Sequence, residues 1–121
     1  MHQKYLIINT HSPVDDFYAE ESLELILSSA SLDLEVSVLF LQNAVFQLLD
    51  NQQYELINRN LFAKTLQALE LFALKNIYVE DIMLEKLLIS DLKTRSNINI
   101  IKFSLVNLVE LYNSHDVILC Y

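Results

Sequence analysis

One side chain in this sequence could act as a thiol nucleophile. It is Cys120, the sole cysteine among the 121 residues, and it lies in a short apolar run directly before Tyr121. A reactive thiolate usually needs a helix N-terminus or a nearby cation to stabilise its charge, and a strand supplies neither locally. We therefore expect Cys120 to be a packed structural thiol. A single cysteine forms no internal disulfide, which fits a reducing compartment.

The three histidines are separated too widely to bind one metal ion together. His2 and His115 precede predicted strands, whereas His11 follows one. A strand of five residues holds its two ends roughly 17 Å apart, and the sequence contains no HxxxH or CxxC spacing. We predict no metal site and no bound cofactor. Because no carboxylate lies near His11 and Ser12 to complete a hydrolase triad, we interpret this pair as part of a polar loop.

An acidic pair, Glu80 and Asp81, follows the third predicted strand. Carboxylates at such a place could act as a general base or bind a magnesium ion. Neighbouring residues usually point in different directions, and Asp81 could cap the helix that follows. We therefore expect a helix cap or a solvated pair, with the catalytic role kept as the alternative.

The composition excludes several common functions. The chain has no glycine, so it contains neither a P-loop nor a GxGxxG dinucleotide motif. Its formal net charge of −8 argues against direct nucleic-acid binding. No signal peptide is visible, and no apolar stretch approaches the roughly 18 to 20 residues that span a bilayer, so we expect a cytoplasmic protein. Apolar residues make up 53% of the chain, which favours elements buried on both faces or covered by a partner.

Short apolar runs alternate with segments of helical periodicity along the whole chain. The predicted strands are Tyr5–Ile8, Leu34–Leu41, Ile77–Val79, Ile98–Phe103 and Val117–Cys120. The predicted helical segments are 19–30, a short helix capped by Asn43, 61–74, 83–89, and 105–112 capped by Ser104. This alternation predicts an α/β fold in which one domain, residues 1–121, forms three α/β/α layers around a five-stranded parallel sheet.

Two short helices carry grouped apolar side chains. In the short helix after the second strand, Val45, Phe46, Leu48 and Leu49 form an apolar patch that is difficult to bury completely, so we mark them as a candidate interface. In the last helix, we expect one side to pack on the sheet. Its apolar residues are Leu105, Leu108, Val109 and Tyr112.

Three segments resemble one known protein family. AEESLELIL at residues 19–27 is similar to the first helix of the DsrE/DsrF-like sulfur-relay family. VSVLFL at 36–41, followed by NAVFQLL at 43–49, resembles the second strand and the VFQLL segment of the family's TusC (DsrF) branch. HDVIL at 115–119 is similar to that branch's closing strand. The sequence departs from the family where Ala44 replaces the usual glycine.

The resemblance implies a function in persulfide sulfur relay toward 2-thiouridine at the tRNA wobble position. The implied partners are TusB-like and TusD-like subunits of a hetero-oligomer. In the family, the sulfur-carrying cysteine of the TusD-type subunit lies just after the third strand, and here that position is Glu80. The resemblance therefore implies a non-catalytic structural subunit. Two alternatives stay open: a stand-alone sulfurtransferase that uses Cys120, and a small-ligand binding module that uses His11 and Glu80.

Overall fold

A parallel five-stranded sheet forms the centre of the protein in the computed structural model. The structure describes residues 3–11, 18–32, 34–48, 76–86 and 100–121. The strands are β1 (Lys4–Asn9), β2 (Glu35–Phe40), β3 (Asn76–Glu80), β4 (Ile100–Phe103) and β5 (Val117–Cys120). Each neighbouring pair is parallel, and the order across the sheet is β4-β3-β2-β1-β5. The predicted α/β fold with five parallel strands is confirmed.

Helical segments connect or flank the strands. Among the described residues, the α-helices are α1 (Tyr18–Ser31), α2 (Asp81–Lys86) and α3 (Leu108–Asn113), and two 3-10 helices span Gln42–Leu48 and Leu105–Asn107. The helix predicted at 61–74 lies outside the described residues, as do the predicted ends at 87–89 and 98–99. Within the described ranges, no helix combines the length and the apolar character that crossing a bilayer requires.

The sheet is buried on both of its faces. Along β1, Ile7 joins a core cluster that includes Ile26 of α1, whereas Leu6 and Ile8 join a second cluster that includes Leu111 of α3. Successive strand residues point to opposite faces, so these two clusters lie on opposite sides of the sheet. This explains why the strand sequences are apolar runs rather than alternating patterns.

Two predicted helix starts are wrong, and a third is right but lacks the expected capping hydrogen bond. The first 3-10 helix begins at Gln42, so Asn43 lies inside it and is not its N-cap. The helix predicted from Met83 begins at Asp81, immediately after β3. The last helix is divided into a 3-10 turn and α3, and Ser104 occupies the N-cap position without a side-chain capping hydrogen bond. In each case the chain turns into a helix directly at the strand end, with little or no intervening loop.

The apolar side predicted for the last helix packs only in part, through the partly buried Leu108. Leu111 is its buried residue, at 8% exposure, whereas Val109 is 69% and Leu105 43% exposed. The sequence from Leu105 to Asn113 places apolar residues at six of nine positions, around most of the helix. Periodicity could not determine which side packs, because nearly every side is apolar.

Candidate functional site

Parallel α/β folds usually bind ligands at the carboxyl edge of the sheet. In this protein, several hydrogen bonds hold the chain segments at that edge together. The N–H of Thr10 donates to the carbonyl of Tyr121 at 2.7 Å, and the N–H of Tyr121 donates to the carbonyl of Ile8 at 2.7 Å. The hydroxyl of Thr10 adds a third bond to the carbonyl of Tyr121, at 3.2 Å. The segment after β5 is thereby held against the end of β1.

Glu80 ends β3 at this edge and is buried, with 5% of its surface exposed. Its Oε1 accepts a hydrogen bond of 3.0 Å from the backbone N–H of Gln42. Gln42 has a φ of 52°, a left-handed conformation that is unfavourable for a residue with a Cβ. The carboxylate therefore supports the sharp turn between β2 and the 3-10 helix. This finding corrects the expectation that Glu80 is a cap or a solvated side chain.

The two members of the acidic pair point to different partners. Asp81 begins α2, and its Oδ1 accepts the N–H of Ile82 at 2.7 Å. A carboxylate at a helix start also interacts favourably with the helix dipole. The expectation of a cap-like role is therefore supported for Asp81 alone. The described side chains do not bring Glu80 and Asp81 into one acid–base pair.

His11 follows β1, as predicted, and stacks on Tyr18. The two ring centroids are 3.9 Å apart, and the planes differ by 13°. The Glu80 carboxylate is directed to Gln42, so the small-ligand alternative, which uses His11 together with Glu80, stays a prediction. Ser12 lies outside the described residues.

His115 lies at the opposite, amino edge of the sheet. Its Nδ1 is 2.8 Å from the carbonyl oxygen of Leu111, which can only accept, so this nitrogen carries the proton. Its Nε2 then accepts from the hydroxyl of Ser37, also at 2.8 Å. The histidine therefore connects the end of α3 to β2. His2 lies outside the described residues. Within the described ranges, no cluster of three His, Cys, Asp or Glu side chains is arranged to hold a metal ion.

Cys120 is exposed at the end of β5, an edge strand of the sheet. The expectation of a packed structural thiol is wrong. Its position follows from pairing: among the described strands, β5 pairs with β1 alone, so no described strand lies on its outer side. Exposure makes the thiol accessible to a reaction partner. It does not provide the helix N-terminus or cation that activates a thiol.

One of the four candidate interface residues on the first 3-10 helix belongs to the core. Val45 is fully buried in the cluster on the α1 side of the sheet, so it cannot contact a partner from this position. Phe46 is half-buried. The side chain of Leu48 and the whole of Leu49 lie outside the described residues. For Phe46, Leu48 and Leu49, the interface remains a prediction.

Two features of the structure were not predicted from the sequence. One is the left-handed turn at Gln42, for which glutamine gives no sequence signal. The other is a cavity of about 360 Å³ on the α3 side of the sheet. It lies between β4 and the last helix, and Tyr78 and Phe103, whose rings meet edge-to-face at 5.8 Å, both line it. Its polar lining residues are Lys102, Asn107, Glu110 and Ser114.

Comparison with known proteins identifies the family of this chain. The model of the DsrE/DsrF-like family matches residues 3–119. This chain belongs to the DsrE/DsrF-like family. The match extends over all five strands, so the segmental resemblance seen in the sequence is confirmed across nearly the whole chain.

Two relatives share about a third of their aligned residues with this member of the family. The intracellular sulfur oxidation protein DsrF of Allochromatium vinosum is 35% identical over 83 residues, covering 69% of this chain and 61% of that protein. A TusC homolog of Pseudomonas aeruginosa is 35% identical over 79 residues, covering 65% of this chain and 66% of that protein. The matched segments therefore span somewhat less than two thirds of either relative.

Two solved structures have the same fold. The YchN protein of E. coli superposes with a TM-score of 0.74 at 18% identity, with full coverage of both chains. A conserved protein of unknown function from Bacteroides thetaiotaomicron, BT1422, superposes with a TM-score of 0.66 at 15% identity, covering 98% of this chain and 95% of its own. At these identities the likeness supports the arrangement of the strands and helices alone.

Proposed function

We propose that this DsrE/DsrF-like domain, residues 1–121, is a non-catalytic subunit of a TusBCD-type sulfur-relay complex in the cytoplasm. It would assemble with TusB-like and TusD-like chains into a hetero-oligomer, a heterohexamer in the TusBCD arrangement. The complex would pass persulfide sulfur toward 2-thiouridine at the tRNA wobble position. The subunit itself would bind neither tRNA nor a cofactor.

The observation that supports this proposal is the state of Glu80. The resemblance implies that the carrier cysteine of the family's TusD-type subunit corresponds in position to Glu80, the residue that ends β3. A carboxylate cannot hold sulfane sulfur. This one is also buried and bonded to the N–H of Gln42, so it contributes to the turn rather than facing a reactant. A structural role at this position favours a subunit that leaves the chemistry to a partner.

Co-purification with partner chains tests the proposal. We would co-express the full chain with the TusB-like and TusD-like chains of the same organism and measure the mass of the complex in solution. We would then load it with a persulfide donor and locate the sulfur by mass spectrometry. The expected result is a hetero-oligomer with persulfide on the TusD-like chain alone. A chain that stays monomeric in the presence of both partners would exclude the proposed function.

A second candidate follows from the exposure of Cys120. In a stand-alone sulfurtransferase, the Cys120 thiolate would attack the outer sulfur of a donor persulfide, forming a new S–S bond and releasing the donor as a thiol. The isolated chain would then gain 32 Da (about the mass of one sulfur atom). Loss of this gain in Cys120→Ser would favour the second candidate, and no gain in the wild-type chain would exclude it.

A further inference from the structure

The last helical segment exposes a continuous set of apolar side chains, which we call the α3 stripe. It consists of Leu105, Val106, Val109 and Tyr112, which are 43%, 86%, 69% and 36% exposed. Spacings of three, four and seven residues place such side chains next to one another on a helical surface. Elsewhere in the described ranges, the large exposed apolar residues are Tyr18, Leu32, Ile82 and Ile101, which lie far from one another in the sequence. Scattered residues of that kind are normal on a protein surface, whereas a stripe needs an explanation.

The area of the stripe is suited to one side of a protein interface. From these exposed fractions and ordinary residue surface areas, the stripe presents roughly 400 Å² of surface. A standard interface buries about 800 Å² on each partner, and about 56–65% of that area is apolar. The stripe therefore supplies about half of the surface that one partner contributes to a stable contact.

Charge argues that the occupant is a different chain rather than a second copy. Each copy carries a formal net charge of −8, so self-association would bring two strongly acidic surfaces together. The exposed Glu110 lies beside Val109 on α3, and a symmetric contact through this helix would place like charges close to each other. A partner with a lysine or arginine opposite Glu110 would gain complementary charge instead.

We propose that the α3 stripe is the surface through which this chain binds a paralogous DsrE/DsrF-like subunit, one whose apolar face is flanked by a basic residue that pairs with Glu110. The proposal rests on the proposed function for the existence of such a partner. It adds the location of the contact. That location differs from the first 3-10 helix, whose Val45 is buried in the core.

A matched pair of variants tests the location. Val109→Glu places a charge in the middle of the stripe, and Leu32→Glu places the same charge at an exposed apolar residue after α1, 71% exposed. Both would be co-expressed with the TusB-like and TusD-like chains, and affinity would be measured by titration. We expect Val109→Glu to weaken binding at least tenfold and Leu32→Glu to leave it unchanged. Glu110→Lys should weaken binding severalfold and reverse the salt dependence.

Each outcome separates this proposal from the proposed function. If the wild-type chain assembles and Val109→Glu assembles equally well, the surface is wrong and the proposed function stands. If the wild-type chain binds neither partner, the proposed function fails, and this proposal fails with it. Self-association of the wild-type chain that Val109→Glu abolishes would make the occupant a second copy, which overturns the choice of partner.

Amide hydrogen exchange provides a measurement on the wild-type complex that needs no variant. We expect exchange in residues 105–113 to slow when the partner binds, with no change in α1. Slowing confined to other elements would overturn the proposal. Melting curves of each variant alone would verify that it folds, and Val109→Thr would replace Val109→Glu if the latter does not.

Discussion

Two short helical segments follow strands in this protein, and they use their apolar residues in opposite ways. The 3-10 helix Gln42–Leu48, after β2, inserts Ala44 and Val45 completely into the core. The segment that begins at Leu105, after β4, exposes most of Val106 and Val109. The sequence pattern suggested the reverse: the first was the candidate interface and the second was expected to pack. Apolar content therefore identifies a residue that avoids water, but does not tell which surface covers it.

The first segment follows a central strand of the sheet and the second follows an edge strand, which explains the difference in burial. β2 lies between β1 and β3 in the sheet. The chain that leaves β2 therefore passes over a part of the sheet that is covered on both faces. β4 is an edge strand, and the segment leaving it contacts the sheet chiefly through Leu111. Fewer core contacts at the edge leave apolar side chains available for another chain.

The largest effect is expected when a charge is placed in each of the two segments. Val45→Asp should lower the free energy of unfolding by at least about 4 kcal/mol, because it buries a carboxylate without a partner. Val109→Asp should change it by no more than about 0.5 kcal/mol, because the side chain stays in water. Urea denaturation of both variants provides the measurement. Equal destabilisation by the two would contradict the contrast.

A second test compares how the two segments begin. Glu80→Ala should cost about 1–3 kcal/mol, because it removes the charge-assisted hydrogen bond between the buried carboxylate and the N–H of Gln42. Glu80→Gln keeps an acceptor oxygen and should cost less. Ser104→Ala, at the start of the second segment, should have little effect, because the Ser104 side chain makes no capping bond. Thermal melts would rank the three variants, and a Ser104→Ala variant less stable than Glu80→Ala would reverse the expected order.

A third test concerns the attachment of the last helix at its far end. His115→Ala should cost about 1–2 kcal/mol, because the buried hydroxyl of Ser37 and the carbonyl of Leu111 both lose a partner. Ser37→Ala removes the hydroxyl itself and should cost less than His115→Ala. Chemical denaturation of both variants measures the difference. If His115→Ala were as stable as the wild type, the attachment of α3 would have to come from the packing of Leu108 and Leu111.

The smallest expected effect is at the turn into the first segment. Gln42→Gly should stabilise the protein by about 0.5 kcal/mol, because glycine adopts the left-handed conformation without a steric cost. This gain in free energy should slightly exceed the cost of the conformational entropy that glycine adds to the unfolded chain. The matched control is Asn43→Gly, in the same helix without a positive φ, which should destabilise. A Gln42→Gly variant that is less stable than the wild type would show that the backbone there is not strained.

The sequence predicted the five strands well because each is a short apolar run between polar segments. The β5 strand, Val117–Cys120, matches its prediction at both ends, and the others agree within two residues where they are described. Helix starts were less predictable, because the chain enters a helix directly from β2 and β3 without a capping loop. The role of Glu80 could not be predicted, since its acceptor bond to Gln42 joins residues 38 positions apart.

By itself, the sequence determined the order of strands and helices, the parallel sheet and the family, because local hydrophobic patterns and a few specific segments carry that information. The tertiary structure alone decided which apolar residues are buried, where the Glu80 carboxylate binds and that Cys120 is exposed. Those properties depend on neighbours that are distant in the chain. An edge strand and a central strand can have the same sequence pattern, but only the packed sheet distinguishes their surroundings.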